Sequence, residues 1–236
     1  MAKSVVLLSA GLDSTVNFRM ALLRGEVLAA LTFDYGQRAA AKEIGGAARM
    51  CERFGVRHVA LAIPWLGKLQ ATPLTSRAMS LPTPAMDKLE DASTEAGSRA
   101  VWIPNRNGIL INIAAAHAEA WDAAEVVVGF NAEEAGRFPD NTADYVGAAN
   151  AALRFSTRNG VRVTCYTQAL DKTAVVKLGR EIGAPLDLCW SCYDDGARHC
   201  GRCESCARLR RAARAAGCED WLVAQGVLPA ASGPRG

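Results

Sequence analysis

Ser4-Val5-Val6-Leu7-Leu8-Ser9-Ala10-Gly11-Leu12-Asp13-Ser14 sets a short apolar, β-branched run ahead of a small-residue loop, and a helical pattern starts near Asp13. That order reads as a strand, a tight loop and a helix N-terminus. A helix start carries unpaired backbone N–H groups and about half a positive charge, so a small-residue loop in front of it is an anion site. A nucleotide pyrophosphate is the anion it suits best. Ser9, Asp13 and Ser14 add side-chain oxygens, Gly11 lets the backbone approach, and Ser14 can also cap the helix through its hydroxyl. The bland alternative is an N-cap and nothing more.

Further apolar runs of strand length lie at Val27–Phe33, His58–Ile63, Glu125–Phe130 and Val161–Thr164, and helical patterns separate most of them. Ser14–Leu23 and Lys42–Phe54 read as crossover helices, and Ile109–Trp121 as an alanine-rich helix with few charges, hence buried. This βαβ alternation predicts an α/β fold with a doubly wound, mostly parallel sheet and ligands beyond the carboxyl ends of the strands. Ser9–Ser14 sits at such an end. From Trp65 to Ala100 the pattern dissolves into Pro, Thr, Ser and scattered charge, which we read as a flexible insertion or flap over residues 65–100, near the site. After Pro185 the rhythm stops, so the expected division is an α/β domain over 1–185, a cysteine-rich helical segment over 186–228 and a frayed tail over 229–236.

The chain has 236 residues, 50% of them hydrophobic, enough for a substantial core, and its net charge of +3 does not by itself argue for a duplex-binding surface. Six arginines, Arg198, Arg202, Arg208, Arg210, Arg211 and Arg214, fall within seventeen positions. They read as the solvated face of a helix, with an anionic partner as the alternative. No apolar run approaches the ~20 residues of a membrane span, and Met1-Ala2-Lys3 leads straight into a core strand, so a cytoplasmic protein is expected.

In a reducing compartment eight cysteines are not a disulfide framework. Cys192, Cys200, Cys203 and Cys206 follow C-x7-C-x2-C-x2-C, a spacing that lets thiolates surround Zn²⁺ tetrahedrally at about 2.3 Å. Four cysteines leave no open position, so the reading is a structural site, with binding worth about 10–16 kcal/mol toward folding the segment. Cys189 and His199 are rivals for a ligand place, and an iron–sulfur cluster is the rival metal group. The isolated Cys51, Cys165 and Cys218 read as small buried hydrophobes.

Together with the loop and the cysteines, two intermediate segments carry a resemblance. Leu31-Thr32-Phe33-Asp34-Tyr35-Gly36-Gln37-Arg38 is similar to the second-strand segment of the 7-cyano-7-deazaguanine synthase family of PP-loop ATP pyrophosphatases, and Ile103-Pro104-Asn105-Arg106-Asn107 to its P-x-R-N motif. Phe138-Pro139-Asp140 resembles its F/Y-P-D turn, and Trp190–Tyr193 with Cys200–Cys206 its zinc motif, which makes Cys192 the first ligand. The resemblance runs nearly the whole length. It implies an adenine nucleotide alpha hydrolase-like fold and a ligase that converts 7-carboxy-7-deazaguanine, ammonia and ATP to the nitrile on the route to queuosine and archaeosine. Adenylation makes a carboxylate oxygen a leaving group, ammonia gives the amide, and a second ATP activates the amide oxygen.

Carried onto this chain, the resemblance places ATP on Leu8, Ser9, Ala10, Gly11, Leu12, Asp13, Ser14, Phe33, Tyr35, Gln37 and Arg38. It places the acid on Arg106, Asn107, Gly129, Asn131 and Asp140, with Asp13, Ser14, Arg106 and Lys172 in catalytic roles. Mg²⁺ is expected beside Asp13, because phosphate charge must be held and polarised near the α-phosphorus. No nucleic acid or membrane partner is expected, and the resemblance suggests a homodimer. The chain departs from the family at Ala10, where a second glycine is usual, at Ala39-Ala40-Ala41 where a histidine is common, and at Asn141 in place of a cysteine. An alanine at a positive-φ position 10 costs about 1–2 kcal/mol. Three other readings stand beside this one: a PP-loop enzyme joining the adenylated acid to another amine, a tRNA-thiolating PP-loop enzyme, and a zinc-stabilised nucleotide-binding module without catalysis.

Overall fold

The computed structural model describes residues 2–89 and 92–230. Its elements alternate in the expected way: β1 (Lys3–Leu7), α1 (Leu12–Arg24), β2 (Glu26–Asp34), α2 (Ala40–Phe54) and β3 (Arg57–Ala62). There follow α3 (Pro64–Lys68), α4 (Ala92–Ala100), α5 (Arg106–Ala120), β4 (Glu125–Val127), α6 (Ala132–Ala135), α7 (Ala143–Ser156) and β5 (Arg162–Thr164). The chain then forms α8 (Lys172–Glu181), α9 (Glu204–Ala215) and α10 (Glu219–Ala224).

Among the described residues the strands form one five-stranded sheet in the order β3-β2-β1-β4-β5, and every neighbouring pair is parallel. The order in which strands are added reverses between β1 and β4, so the carboxyl ends of these two strands form the switch point where open α/β sheets leave a crevice. Successive residues of a strand face opposite sides. Val5 and Val126 accordingly pack with Ile111 and Ala118 of α5 and Leu153 of α7, whereas Val6 and Val127 pack with Phe18 of α1, Met50 of α2 and Val176 of α8. The alanine face of α5 is buried, Ala114, Ala115 and Ala118 being almost without exposure.

Several expectations move. The fourth strand ends at Val127 instead of Phe130, because Gly129 lies against α1, where a Cβ would stand 2.5 Å from the Ser14 nitrogen. The stretch 65–100 contains α3, a 3-10 turn at Met86–Lys88 and α4, and residues 90 and 91 of it lie outside those described. It is tied down through backbone oxygens: Arg38 Nη2 donates to Ser76 O at 2.7 Å and Arg208 Nη2 to Leu89 O at 2.8 Å. The segment after Pro185 shares the sheet's core, since Leu209, Ala212, Leu222 and Leu228 pack in the cluster that holds Val16 and Phe18. Of the expected tail, 231–236 lie outside the described residues, while the Pro229 carbonyl accepts from Arg210.

Of the six arginines, Arg198 and Arg202 precede α9 and are exposed, and Arg214 on α9 is exposed as expected of a solvated face, but the other three on α9 are drawn into ion pairs. Arg208 is buried and pairs with Glu204 and Glu133, Arg211 pairs with Glu133, and Arg210 and Arg214 pair with Glu219. Glu204 and Glu219 lie close in sequence to the arginines they pair with, whereas Glu133 reaches Arg208 and Arg211 only through tertiary folding, which a linear charge count does not see. No helix among the described residues is long and apolar enough to cross a membrane.

Candidate active site and metal centre

At the switch point a cleft of about 290 Å³ opens between the β1–α1 loop, the ends of β2 and β4, the start of α5 and the chain around Trp190–Tyr193. Its floor is the loop that opens the sequence. Ser9 N donates to Ser14 Oγ at 3.3 Å, the two serine hydroxyls are 3.1 Å apart, and Ser14 Oγ reaches back to Gly11 O at 3.1 Å. The Ser14 hydroxyl therefore does not cap the helix. Gly11 is the N-cap with no side-chain bond, which leaves the first-turn amides of α1 without a capping side chain at the cleft wall.

Three charged side chains meet beside that helix start. Lys172, at the first turn of α8, is buried, lies 3.4 Å from Asp13 Oδ2 and pairs with Glu134 Oε1. Asn131 Nδ2 donates to Asp13 Oδ1 at 3.0 Å while its Oδ1 caps α6 by accepting from Glu134 N at 2.9 Å. Burial works against the Lys172 charge, but Asp13 and Glu134 outweigh it and hold the lysine above its usual range. Burial pushes Asp13 upward, with Lys172 opposing and Glu134 adding to the push. Glu134 also meets a burial penalty, yet Lys172 brings it below the ordinary carboxylate range. Two carboxylates and one ammonium leave a net negative charge there, a donor set suited to a divalent cation.

The opposite wall is a hydrogen-bonded corner. Gln37 Oε1 accepts from Tyr35 N at 2.9 Å, and Gln37 Nε2 donates to Phe33 O at 2.9 Å and to Glu43 Oε2 at 2.8 Å. Arg106 Nη1 donates to the Tyr35 hydroxyl at 3.3 Å, its guanidinium 5.8 Å from the tyrosine ring centroid. Burial raises Glu43 to about 7, against the opposing effects of the Gln37 bond and the Arg106 charge.

The cleft is lined by Leu8, Ser9, Gly11, Leu12, Asp13, Ser14, Phe33, Tyr35, Gln37, Arg106, Asn107, Gly129 and Lys172, all expected there. Ala10, Arg38, Asn131 and Asp140 stand behind it. Ala10 does take positive φ, +58°, and its Cβ is housed because residue 46 is glycine, where a Cβ would come within 2.8 Å. Arg38 turns away to hold the Ser76 and Met79 carbonyls, and its N–H donates to Leu74 O at 2.8 Å, so it supports a wall that Leu74 lines. Asn131 acts through Asp13. Asp140 accepts from Asn141 Nδ2 at 3.1 Å, and it is Asn141 that faces the cleft.

Glu134, Glu43, Trp190, Ser191 and Tyr193 line the cleft without having been singled out. Glu134 had a legible signal: Asn131-Ala132-Glu133-Glu134 has the spacing of a capping box, with an acid three residues after the cap. Glu43 had none, since an acid in the first turn of a helix is ordinarily a dipole partner in water.

Cys192, Cys200, Cys203 and Cys206 bring their sulfurs within 4.8 Å of one another, with Cys192–Cys203 and Cys200–Cys206 at 4.0 Å. Four thiolates at about 2.3 Å from one tetrahedral ion would stand roughly 3.8 Å apart, so the set fits a metal. Backbone N–H groups already point at the sulfurs: Asp194 N and Cys200 N each lie 3.4 Å from Cys192 Sγ, and Cys203 N lies 3.3 Å from Cys200 Sγ. The rivals are engaged elsewhere. His199 Nε2 accepts from Ser191 N at 3.0 Å with its ring 4.5 Å from that of Trp190, and Cys189 donates to Thr15 Oγ1 at 3.3 Å in the apolar core. Cys51 and Cys218 are buried, and the half-buried Cys165 exchanges 3.3 Å contacts with the Phe130 backbone.

A family model described as queuosine biosynthesis protein QueC matches residues 3–217. The chain is 50% identical over 216 residues to the 7-cyano-7-deazaguanine synthase of Pelotomaculum thermopropionicum, covering 91% of this chain and 98% of that one. The protein of the same name from Desulforudis audaxviator is 47% identical over 91% of this chain and 98% of its own. That of Methanosarcina mazei is 42% identical over 94% and 97%.

Proposed function

The chain belongs to the QueC family of queuosine biosynthesis proteins, and on that premise we propose that it is a 7-cyano-7-deazaguanine synthase, an ATP-dependent ligase that builds the nitrile from 7-carboxy-7-deazaguanine and ammonia. The observation that carries this reading is the meeting of Asp13, Lys172 and Glu134 at the unpaired first turn of α1, inside the cleft at the sheet's switch point. A carboxylate is a poor electrophile. Its oxygen attacks the α-phosphorus of ATP, pyrophosphate departs, and ammonia displaces AMP to give the amide with loss of a proton. The amide oxygen then attacks a second ATP, pyrophosphate departs again and one N–H proton is lost to give the O-adenylated imidate, and loss of AMP and the remaining N–H proton leaves the nitrile.

Such steps need charge stabilisation more than a protein nucleophile. The α1 amides with Ser9, Gly11 and Ser14 would hold the departing pyrophosphate, and Lys172 would neutralise charge beside the α-phosphorus. Asp13 and Glu134 would hold Mg²⁺, which supplies Lewis-acid polarisation of the phosphates. Arg106 faces the acid from the opposite wall. The Phe33–Gln37 corner would seat the adenine, and the four cysteines would hold zinc in a structural role. Thiolation is less well supported, because burial raises both Cys165 and Cys189, the latter to about 12, and a nucleophile needs the thiolate.

Incubation with ATP, Mg²⁺, ammonium and 7-carboxy-7-deazaguanine, read by mass spectrometry, should give AMP and the nitrile. Absence of AMP overturns the adenylating reading. AMP with a conjugate of another amine keeps the adenylation and replaces the steps that follow it.

A further inference from the structure

α6 is four residues long, too short to hold its own shape, and yet it presents two of the groups that frame the cleft chemistry: Asn131 against Asp13 and Glu134 against Lys172. Something outside it must fix it. Adjacent residues of a helix point in different directions, and Glu133 bonds to α9 instead of Lys172, adding only its charge to the field that holds the lysine protonated. Its Oε1 accepts from Arg208 Nη1 at 2.8 Å and from Arg211 Nη2, both on α9. Arg208 is itself locked, with Nε on Glu204 Oε1 at 3.0 Å and Nη2 on Leu89 O at 2.8 Å. Arg137, just beyond α6, reaches the same two partners, 2.8 Å from Leu89 O and 3.6 Å from Glu204 Oε1. The helix that carries these arginines also bears the thiols of Cys203, at its N-cap, and Cys206.

We propose that Glu133 and Arg208 are positioning residues: their buried ion pair fixes α6 to the metal-bearing helix and so sets Glu134 and Asn131 against Lys172 and Asp13. The cysteine-rich segment thereby acts on the chemistry through one contact besides contributing to stability. The kinetic part rests on the proposed synthase activity; the labelling part does not.

Glu133→Gln removes the charge while keeping the shape, and Arg208 retains Glu204 and the Leu89 carbonyl, so the variant keeps its metal and folds. Its kcat should fall roughly tenfold, with KM for ATP within about threefold, as expected when reacting groups are misplaced by a fraction of an ångström. Glu133→Asp should recover part of the loss. Arg211→Gln, at a half-exposed partner, should lose about threefold in kcat. Independently of turnover, acylation of Lys172 by a water-soluble succinimidyl ester, followed by peptide mass spectrometry, should be faster in Glu133→Gln than in the parent. A parent that makes no AMP refutes the synthase reading alone. An active parent with Glu133→Gln at full kcat, or unchanged Lys172 labelling, overturns the positioning role, as does a loss matched by the fraction unfolded.

Discussion

The sheet half and the cysteine-rich segment reach order by different means. Around β1 and β4, buried valines and the alanine face of α5 remove apolar surface from water on both sides of the sheet. Around Cys192–Cys206 the local apolar cluster is little more than the cysteines with Trp190 and Tyr193, and a metal held by the four thiols would supply the rest. Both nevertheless line one cleft, Ser9–Ser14 from one side and Trp190–Tyr193 from the other. On the proposed function, stability and chemistry divide by residue: charges at helix starts serve the reaction, thiols serve the fold.

The sharpest break of that division is a pair of variants. Cys203→Ser removes a ligand with no exposure, and should lose the metal and fall in melting temperature first, since binding on the order of 10 kcal/mol is at stake. Asp13→Asn keeps the shape and the Asn131 contact, so it should retain fold and metal while turnover drops at least ~100-fold. The reverse order of effects would contradict both assignments. Metal analysis, thermal melts and AMP release on the two proteins decide it.

A smaller effect is pH-dependent. In the folded chain Glu43 keeps its proton up to about 7, whereas the unfolded carboxyl gives it up near 4.5. The folded state therefore binds more protons between those values, and stability falls as pH rises through that window. Glu43→Gln should match the parent near the lower limit and exceed it by about 3 kcal/mol above the upper one. A melting curve with the same pH slope in both proteins would remove Glu43 from its buried corner.

Smallest of all is Ala10→Gly. Relief of the left-handed strain at +58°, about 1–2 kcal/mol, is offset by the greater chain entropy of glycine, about 0.5–1 kcal/mol. A net gain under about 1 kcal/mol with unchanged AMP release is expected, and a loss of stability would mean the Ala10 methyl packs better than it strains.

Much of this was legible in one dimension. β1, β2 and β3 were legible because apolar runs of strand length alternate with helical patterns, and the switch-point loop because small residues precede a helix. The cysteine set was legible because metal geometry is written in short spacings. Other features had no local signature. α6 is barely one helical turn, and the carboxylate that meets both Arg208 and Arg211, Glu133, comes from distant sequence. Residues 65–100 lacked periodicity because backbone carbonyls held by Arg38 and Arg208, not an apolar stripe, pin that stretch. Arg38 and Asn131 sit next to cleft residues in sequence, yet Arg38 turns to the Ser76 carbonyl and Asn131 is buried behind Asp13, since side-chain direction in a loop follows from tertiary bonds.

The central claim is that the acid's oxygens leave on the α-phosphorus of ATP. With ¹⁸O in the carboxylate of 7-carboxy-7-deazaguanine, mass spectrometry of the nucleotide products should find the label in the phosphate of AMP, with unlabelled pyrophosphate beside it. Label in inorganic phosphate accompanied by ADP would place the attack at the γ-phosphorus and contradict the account.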